Sequence, residues 1–275
     1  MRLTKKSLSI IRREGISSLI IRAVRKVYFE NKITKNIHRS PTICKLSWII
    51  YSNTIRTTVK LLNKAHPEKY TDSDPFKLIY VSPHRVNRLA KLDEKYYSRS
   101  IRYGRVIEQL KKQNRTHEEI IDINELKLFG EDKIDWQDTN FPKMFKKRDN
   151  WLASENLRKE HLKTLYKNLE KEGYKTQTEI FSENPKEALN SCNDAFLPFT
   201  NEIRVAIDSN GDLFKLSGGR HRLAISKALN LERVPILVMC RHREWQKVRN
   251  NVREGSAIPN EFSNHPDLRD LRNLS

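Results

Sequence analysis

Cysteine is scarce in this chain: Cys44, Cys192 and Cys240 are all it has, an odd number with no CxxC spacing. That argues against a disulfide framework and a zinc ribbon, and it fits a reducing compartment. Long apolar runs are missing too. No window of about 20 residues is free of charge, so no transmembrane span is expected. Leu19-Ile20-Ile21 is too short for a signal-peptide core, Arg22 interrupts it, and no small-residue cleavage site follows. The glycine loop ending in Gly-Lys-Ser/Thr is absent, as is a Gly-x-Ser-x-Gly elbow, which excludes P-loop enzymes and esterase-type nucleophiles. None of the eight histidines forms an HxxxH or HExxH pair, so no protein-only zinc site is expected.

Acidic residues are nearly missing from one end. Residues 1–67 hold 15 Lys or Arg against Glu14 and Glu30 alone, a net +13 out of the chain's +19. The other 208 residues have 38 basic and 32 acidic groups, a net +6. Basicity is therefore a property of the N-terminal region, which attracts polyanions of either kind, nucleic acid or anionic lipid.

Within that region Leu3, Leu8, Ile11, Ile16, Leu19, Ile20, Val24 and Val27 recur at mostly helical spacing, with basic residues between them. Gly15 divides them into two predicted amphipathic helices. A further helix is predicted over Ile43–Leu62, carrying Trp48, Tyr51, Ile55 and Val59. A basic amphipathic helix either lies in a membrane interface or packs its apolar side on the rest of the protein, and Trp48 and Tyr51 suit both. Residues 1–62 are thus the expected contact for an anionic membrane surface or for nucleic acid.

At 275 residues the chain allows one or two domains around a real core. The polar stretch Pro67–Pro75 marks a first boundary, followed by a short strand over Lys77–Ser82. Ser154 is expected to cap a helix running to Lys171, with Leu157, His161, Leu165 and Leu169 on one face, and Gly173 to stop it. Thr176–Phe181 alternates like a strand. These breaks give a basic helical extension over 1–67, a mixed α/β region over 76–150, a domain over 151–250 and a tail over 251–275.

The most informative segment follows. Glu202–Asp208 alternates like a strand, Asn210-Gly211 reads as a two-residue hairpin turn, and Leu213–Leu216 returns as a second strand. Ser217-Gly218-Gly219-Arg220-His221-Arg222 then turns into a helix whose apolar face carries Leu223, Ala224, Ala228 and Leu229. Pro235 opens a third strand over Ile236–Cys240. A glycine turn at a helix start offers unpaired N–H groups, the positive end of the helix dipole and here three basic side chains. That pattern predicts an anion site, with phosphate as the best fit. Arg241-His242-Arg243-Glu244-Trp245 leaves the last strand beside this loop, so His242 either borders the same pocket or starts a helix with Trp245 in the core. His265-Pro266-Asp267-Leu268 reads as a capped turn before a short, partly exposed helix.

This order of elements resembles the ParB/sulfiredoxin superfamily over about residues 155–245. The helix, Gly173 and Gln177 look like its entry motif, and SGGRHRLAISKALNLERVPILV (217–238) is similar to its phosphate-binding box. The resemblance implies an α/β (α+β) fold with a ParB/sulfiredoxin-like core behind the basic helical extension. It also implies a nucleotide, ATP or CTP with Mg²⁺, held by Gln177, Ser217, Gly218, Gly219, Arg220, His221, Arg222 and His242. Glu179, Glu202 and His221 are the candidate catalytic groups if a phosphoryl group is transferred or hydrolysed. Where sulfiredoxins carry a reactive cysteine this chain has Arg220, which argues against sulfinic-acid repair. The 35 residues after Cys240, with Pro259 and Pro266, leave no room for the DNA-reading module of partition proteins. The expected function is a cytoplasmic, nucleotide-binding phosphotransferase or hydrolase. A DNA-binding protein or nuclease, and a non-enzymatic adaptor peripheral to the membrane, are the alternatives.

Overall fold

The structure is a computed structural model and describes residues 40–92, 103–145, 151–191, 198–216 and 218–271. The two amphipathic helices expected before residue 40, Cys192 and Ser217 lie outside the described residues.

Helix α1 (Pro41–Ala65) leads into strands β1 (Leu78–Val81), β2 (Arg88–Lys91), β3 (Arg105–Ile107) and β4 (Lys111–Thr116). Helices α2 (Ile123–Gly130), α3 (Phe141–Phe145), α4 (Trp151–Glu172), α5 (Gln177–Glu183) and α6 (Pro185–Ser191) follow. The chain then returns to the sheet with β5 (Ile203–Ile207) and β6 (Leu213–Lys215), crosses through α7 (Arg220–Ala228) to β7 (Val234–His242), and runs into α8 (Arg243–Arg253).

The strands form one mixed sheet in the order β1-β7-β5-β6-β2-β4, with β3 parallel to the far end of β7. Strands from residues 76–150 and from 203–242 therefore share a sheet. β7 lies next to the β1 edge, parallel to β5 and antiparallel to β1, and it is apolar for most of its length, as a strand covered on both faces must be. On one face Ile55 and Val59 of α1 pack with Phe76, Phe214, Leu237 and Met239. On the other, Val205, Ile207 and Val238 meet Leu223 of α7 and Trp245 and Val252 of α8. A third cluster joins Ala224 and Ile225 of α7 to Phe129, Trp136, Leu162 and Tyr166, so α7 is clamped between the sheet and the helical layer.

The second helix segment packs as one of its two sequence readings expects: Trp48 sits edge-on to Phe76 at 5.0 Å and stacks on Phe199 at 5.1 Å. Four local expectations are corrected. Thr176–Phe181 is not a strand; Thr176 accepts from the Glu179 N–H and the Glu179 carboxylate accepts from the Thr176 N–H, a reciprocal cap that starts α5 and places Gln177 on a helix. Ser154 is not a cap, because α4 already begins at Trp151. The hairpin loop holds three residues, not two: the Asp208 N–H reaches the Asp212 carbonyl, and Gly211 takes φ 83° at the bulge position. Finally, the capped turn forms as expected, His265 accepting from the Asp267 N–H at the start of a 3₁₀ turn over Pro266–Leu268, but among the described residues no partly exposed helix follows it; the turn is buried, because the Asp267 carboxylate is drawn inward to Arg241, Arg249 and the Trp245 indole N–H.

Candidate functional site

The glycine loop joins β6 to α7, and its geometry follows from one close approach. Gly219 adopts φ 65° as the residue before α7, and a Cβ there would stand 2.7 Å from the Ile203 Cα and 2.9 Å from the Glu202 carbonyl oxygen. Glycine is therefore required twice over, by the dihedral and by the press of the loop on β5. No side chain caps the start of α7, so its first N–H groups keep their directions toward the loop.

Four basic residues cluster around this turn: Arg204, Lys215, Arg220 and Arg222. Glu202 is the carboxylate that pairs with Arg222 there. Arg222 is buried and donates to the Glu202 carboxylate at 3.3 Å and to the Tyr174 hydroxyl at 3.2 Å. Glu202 also accepts from Tyr174 at 3.0 Å and from the Gln177 backbone N–H at 2.6 Å. Burial pushes the Glu202 carboxyl upward, against the pull of the Arg222 guanidinium and these two donors. The pair thus ties α7, α5 and β5 together beneath the loop.

The structure separates the sequence-predicted residues. Gly218 and Arg220 line a cavity; Gly219 seats the loop; Arg222, Glu202 and Gln177 belong to the buried network just described. His221 is half-buried on the first turn of α7. Glu179 is engaged in capping α5. His242 caps α8, its Nδ1 accepting from the Glu244 N–H and its Nε2 lying 2.7 Å from the Glu108 carbonyl oxygen, so both ring nitrogens are engaged.

The cavity has a volume of about 540 Å³ and lies where β2, β4, β6 and the glycine loop meet. Its walls include apolar Leu89, Leu92, Ile120 and Leu216, with Gln113, Lys91, Lys215, Arg220 and His117 as its polar members and, among the described residues, no carboxylate. Two of these the sequence pattern misses. Lys215 is buried and donates to the carbonyls of Leu216 and Gly218. Burial, reinforced by Arg204, Arg220 and Arg222, pushes its ammonium down to about 7. His117 is buried, and neither ring nitrogen has a hydrogen-bond partner. The Arg220 backbone favours its protonation without completing a hydrogen bond, while burial and the charges of Lys227 and Lys215 hold it down to about 3. The signal for Lys215 was a lone lysine in an otherwise apolar strand next to two glycines. His117, in a polar run after β4, carries no local signal.

The lining suits an anion: buried Lys215 beside exposed Arg220 and Lys91, a helix start without a side-chain cap, and an unsatisfied imidazole beside an apolar wall. The residues fit a phosphate. Among the described residues the lining offers Mg²⁺ no carboxylate, so an ion arriving with a bound phosphate would keep phosphate and water oxygens as ligands. Comparison with protein-family models, with curated proteins and with solved structures finds no match.

Proposed function

We propose that the cavity binds a phosphorylated ligand, a nucleotide such as ATP or CTP, and that the core is of the ParB/sulfiredoxin-like kind. One observation carries this reading: buried Lys215 and unpartnered His117 line the same cavity as Gly218 and Arg220 at the uncapped start of α7. The α7 N–H groups, Arg220 and Lys215 hold phosphate oxygens; neutral His117 donates one N–H; Leu89, Leu92 and Ile120 face the base, and Gln113 reads its polar edge. Arg222 positions the loop through Glu202. Bound phosphates bring Mg²⁺ with them, and phosphoryl transfer or hydrolysis is the reaction such a site serves, with the nucleophile supplied by the second substrate or water.

The test is a thermal-shift series with ATP, ADP, CTP and GTP, with and without Mg²⁺, on the wild type and on Arg220→Ala. Stabilisation by one nucleotide that the variant loses supports the reading. A folded protein that responds to none of them removes it.

A second reading draws on β4, an edge strand whose Lys111, Lys112 and Arg115 stand exposed beside Gln113. There the cavity would grip one phosphate of a nucleic-acid strand running along the edge. Affinity for an oligonucleotide that falls steeply with salt, and falls with Arg115→Ala, favours it over a free nucleotide.

A further inference from the structure

We propose that the outer face of α1 docks on an anionic lipid bilayer surface. Of the seven exposed large apolar side chains among the described residues, five lie on this one helix: Ile43, Leu46, Ile49, Ile50 and Leu61. Leu46 is 56% exposed and Ile50 55%, values of free surface rather than of a partly covered rim. They follow the helical repeat, since residues 43, 46, 50 and 61 fall on one side of the cylinder, while Cys44, Ile55 and Val59 fill the opposite, buried side. The inner face is thus satisfied by the sheet, and the outer face is apolar for another reason.

Charge identifies the partner. The α1 sequence contains no Asp or Glu; its charged residues are Lys45, Arg56, Lys60 and Lys64, and among the described residues only Arg56 turns aside to an acid, Asp74, at 3.0 Å. The 39 residues before α1 carry 11 Lys or Arg against two Glu, a net +9. Because α1 itself supplies no acid, covering by the basic residues 1–39 brings like charges together, and so does pairing with a second copy of α1. An apolar stripe flanked by lysines and preceded by a polybasic segment matches an interface of acyl chains beneath anionic headgroups. A nucleic-acid duplex would use the lysines and leave Leu46 and Ile50 idle. No helix among the described residues is long and apolar enough to cross a membrane, so α1 lies in the plane of the surface.

The experiment is co-sedimentation of the full chain with phosphatidylcholine vesicles, with and without phosphatidylglycerol. Binding is expected only with the anionic lipid, weakened as salt rises, and reduced about tenfold or more by Leu46→Glu combined with Ile50→Glu. An Ile50→Cys variant carrying an environment-sensitive fluorophore reads the same contact without added charge, and its emission shifts to the blue on mixing with anionic vesicles. The proposal is overturned by absence of vesicle binding, by binding that both variants leave unchanged with no blue shift, or by a dimer in sedimentation that the double variant dissociates. Cavity-dependent nucleotide stabilisation is measured on the same samples, so failure here is separable from failure of the nucleotide reading.

Discussion

Arg222 and Glu202 form a buried ion pair at 3.3 Å that links the start of α7 to the start of β5, with Tyr174 and the Gln177 N–H completing the carboxylate's partners. Resemblance alone would point Arg222 at a phosphate. The geometry instead puts Arg220 on the cavity wall and turns Arg222 inward to Glu202, where it fixes the loop. Removing one member of a buried pair leaves the other charged and unsolvated, a cost of about 3–5 kcal/mol. Glu202→Ala and Arg222→Met are each expected to lose that much in denaturant unfolding. The double substitution is expected to lose less than the two single losses combined, and strict additivity would show that the pair is not coupled.

The two loop glycines are expected to differ. At Gly219 a methyl group meets the backbone of Ile203 at 2.7 Å, which cannot yield, and φ is 65°. At Gly218 φ is 95°, but the nearest atoms belong to the flexible Arg204 side chain at 3.3 Å. Gly219→Ala should therefore cost well above the roughly 1–3 kcal/mol of backbone strain alone, and Gly218→Ala should stay within it. Equal losses in Tm would count against the close approach to β5.

Lys215 predicts an unusual pH dependence. The unfolded chain holds this proton up to about 10.5, whereas the folded chain releases it near 7. Between those values the unfolded state binds more protons, so the unliganded protein gains stability as pH rises. Thermal melts from pH 7 to about pH 9 should show an upward drift that Lys215→Met reduces. A saturating phosphate ligand should reduce it as well, because the anion favours the charged ammonium. A drift identical in wild type and variant would exclude Lys215 as its source.

What the sequence makes legible here is local. The alternation of Ile203–Ile207, the glycine turn and the face Leu223-Ala224-Ala228 each carry their own signal, and hairpin, loop and α7 form where those signals stand. Thr176–Phe181 misleads because its alternation is real but weaker than the Thr176/Glu179 cap. The far wall of the cavity is a matter of topology: His117 reaches α7 only because β2 pairs parallel to β6 and β4 pairs with β2, a register of which no residue near position 117 gives notice. The inward turn of Arg222 is equally silent, since it depends on Glu202 lying under the loop.

Arg249 sets the last expectation. Its guanidinium is fully buried and meets the carboxylates of Asp72 and Asp270, each at 3.1 Å, and donates to the Asp267 backbone carbonyl. It thereby joins the polar stretch after α1, helix α8 and the turn after residue 265. Burial works to raise the pKa values of Asp72 and Asp267. The neighbouring guanidiniums, Arg249 for Asp72 and Arg241 with Arg249 for Asp267, override that and hold both carboxyls below the usual carboxylate range. A depressed carboxylate contributes stability that is present above its unfolded value of 3.8 and is lost as pH falls through the folded one. The wild type should therefore lose stability steeply below about pH 4. Arg249→Met should remove about 3–5 kcal/mol at neutral pH and flatten the acid limb, because the carboxylates then lack the charge that kept them ionised. Urea titrations at neutral and acid pH measure both effects. A variant with an unchanged acid limb would show that Arg249 is not what keeps these carboxylates ionised.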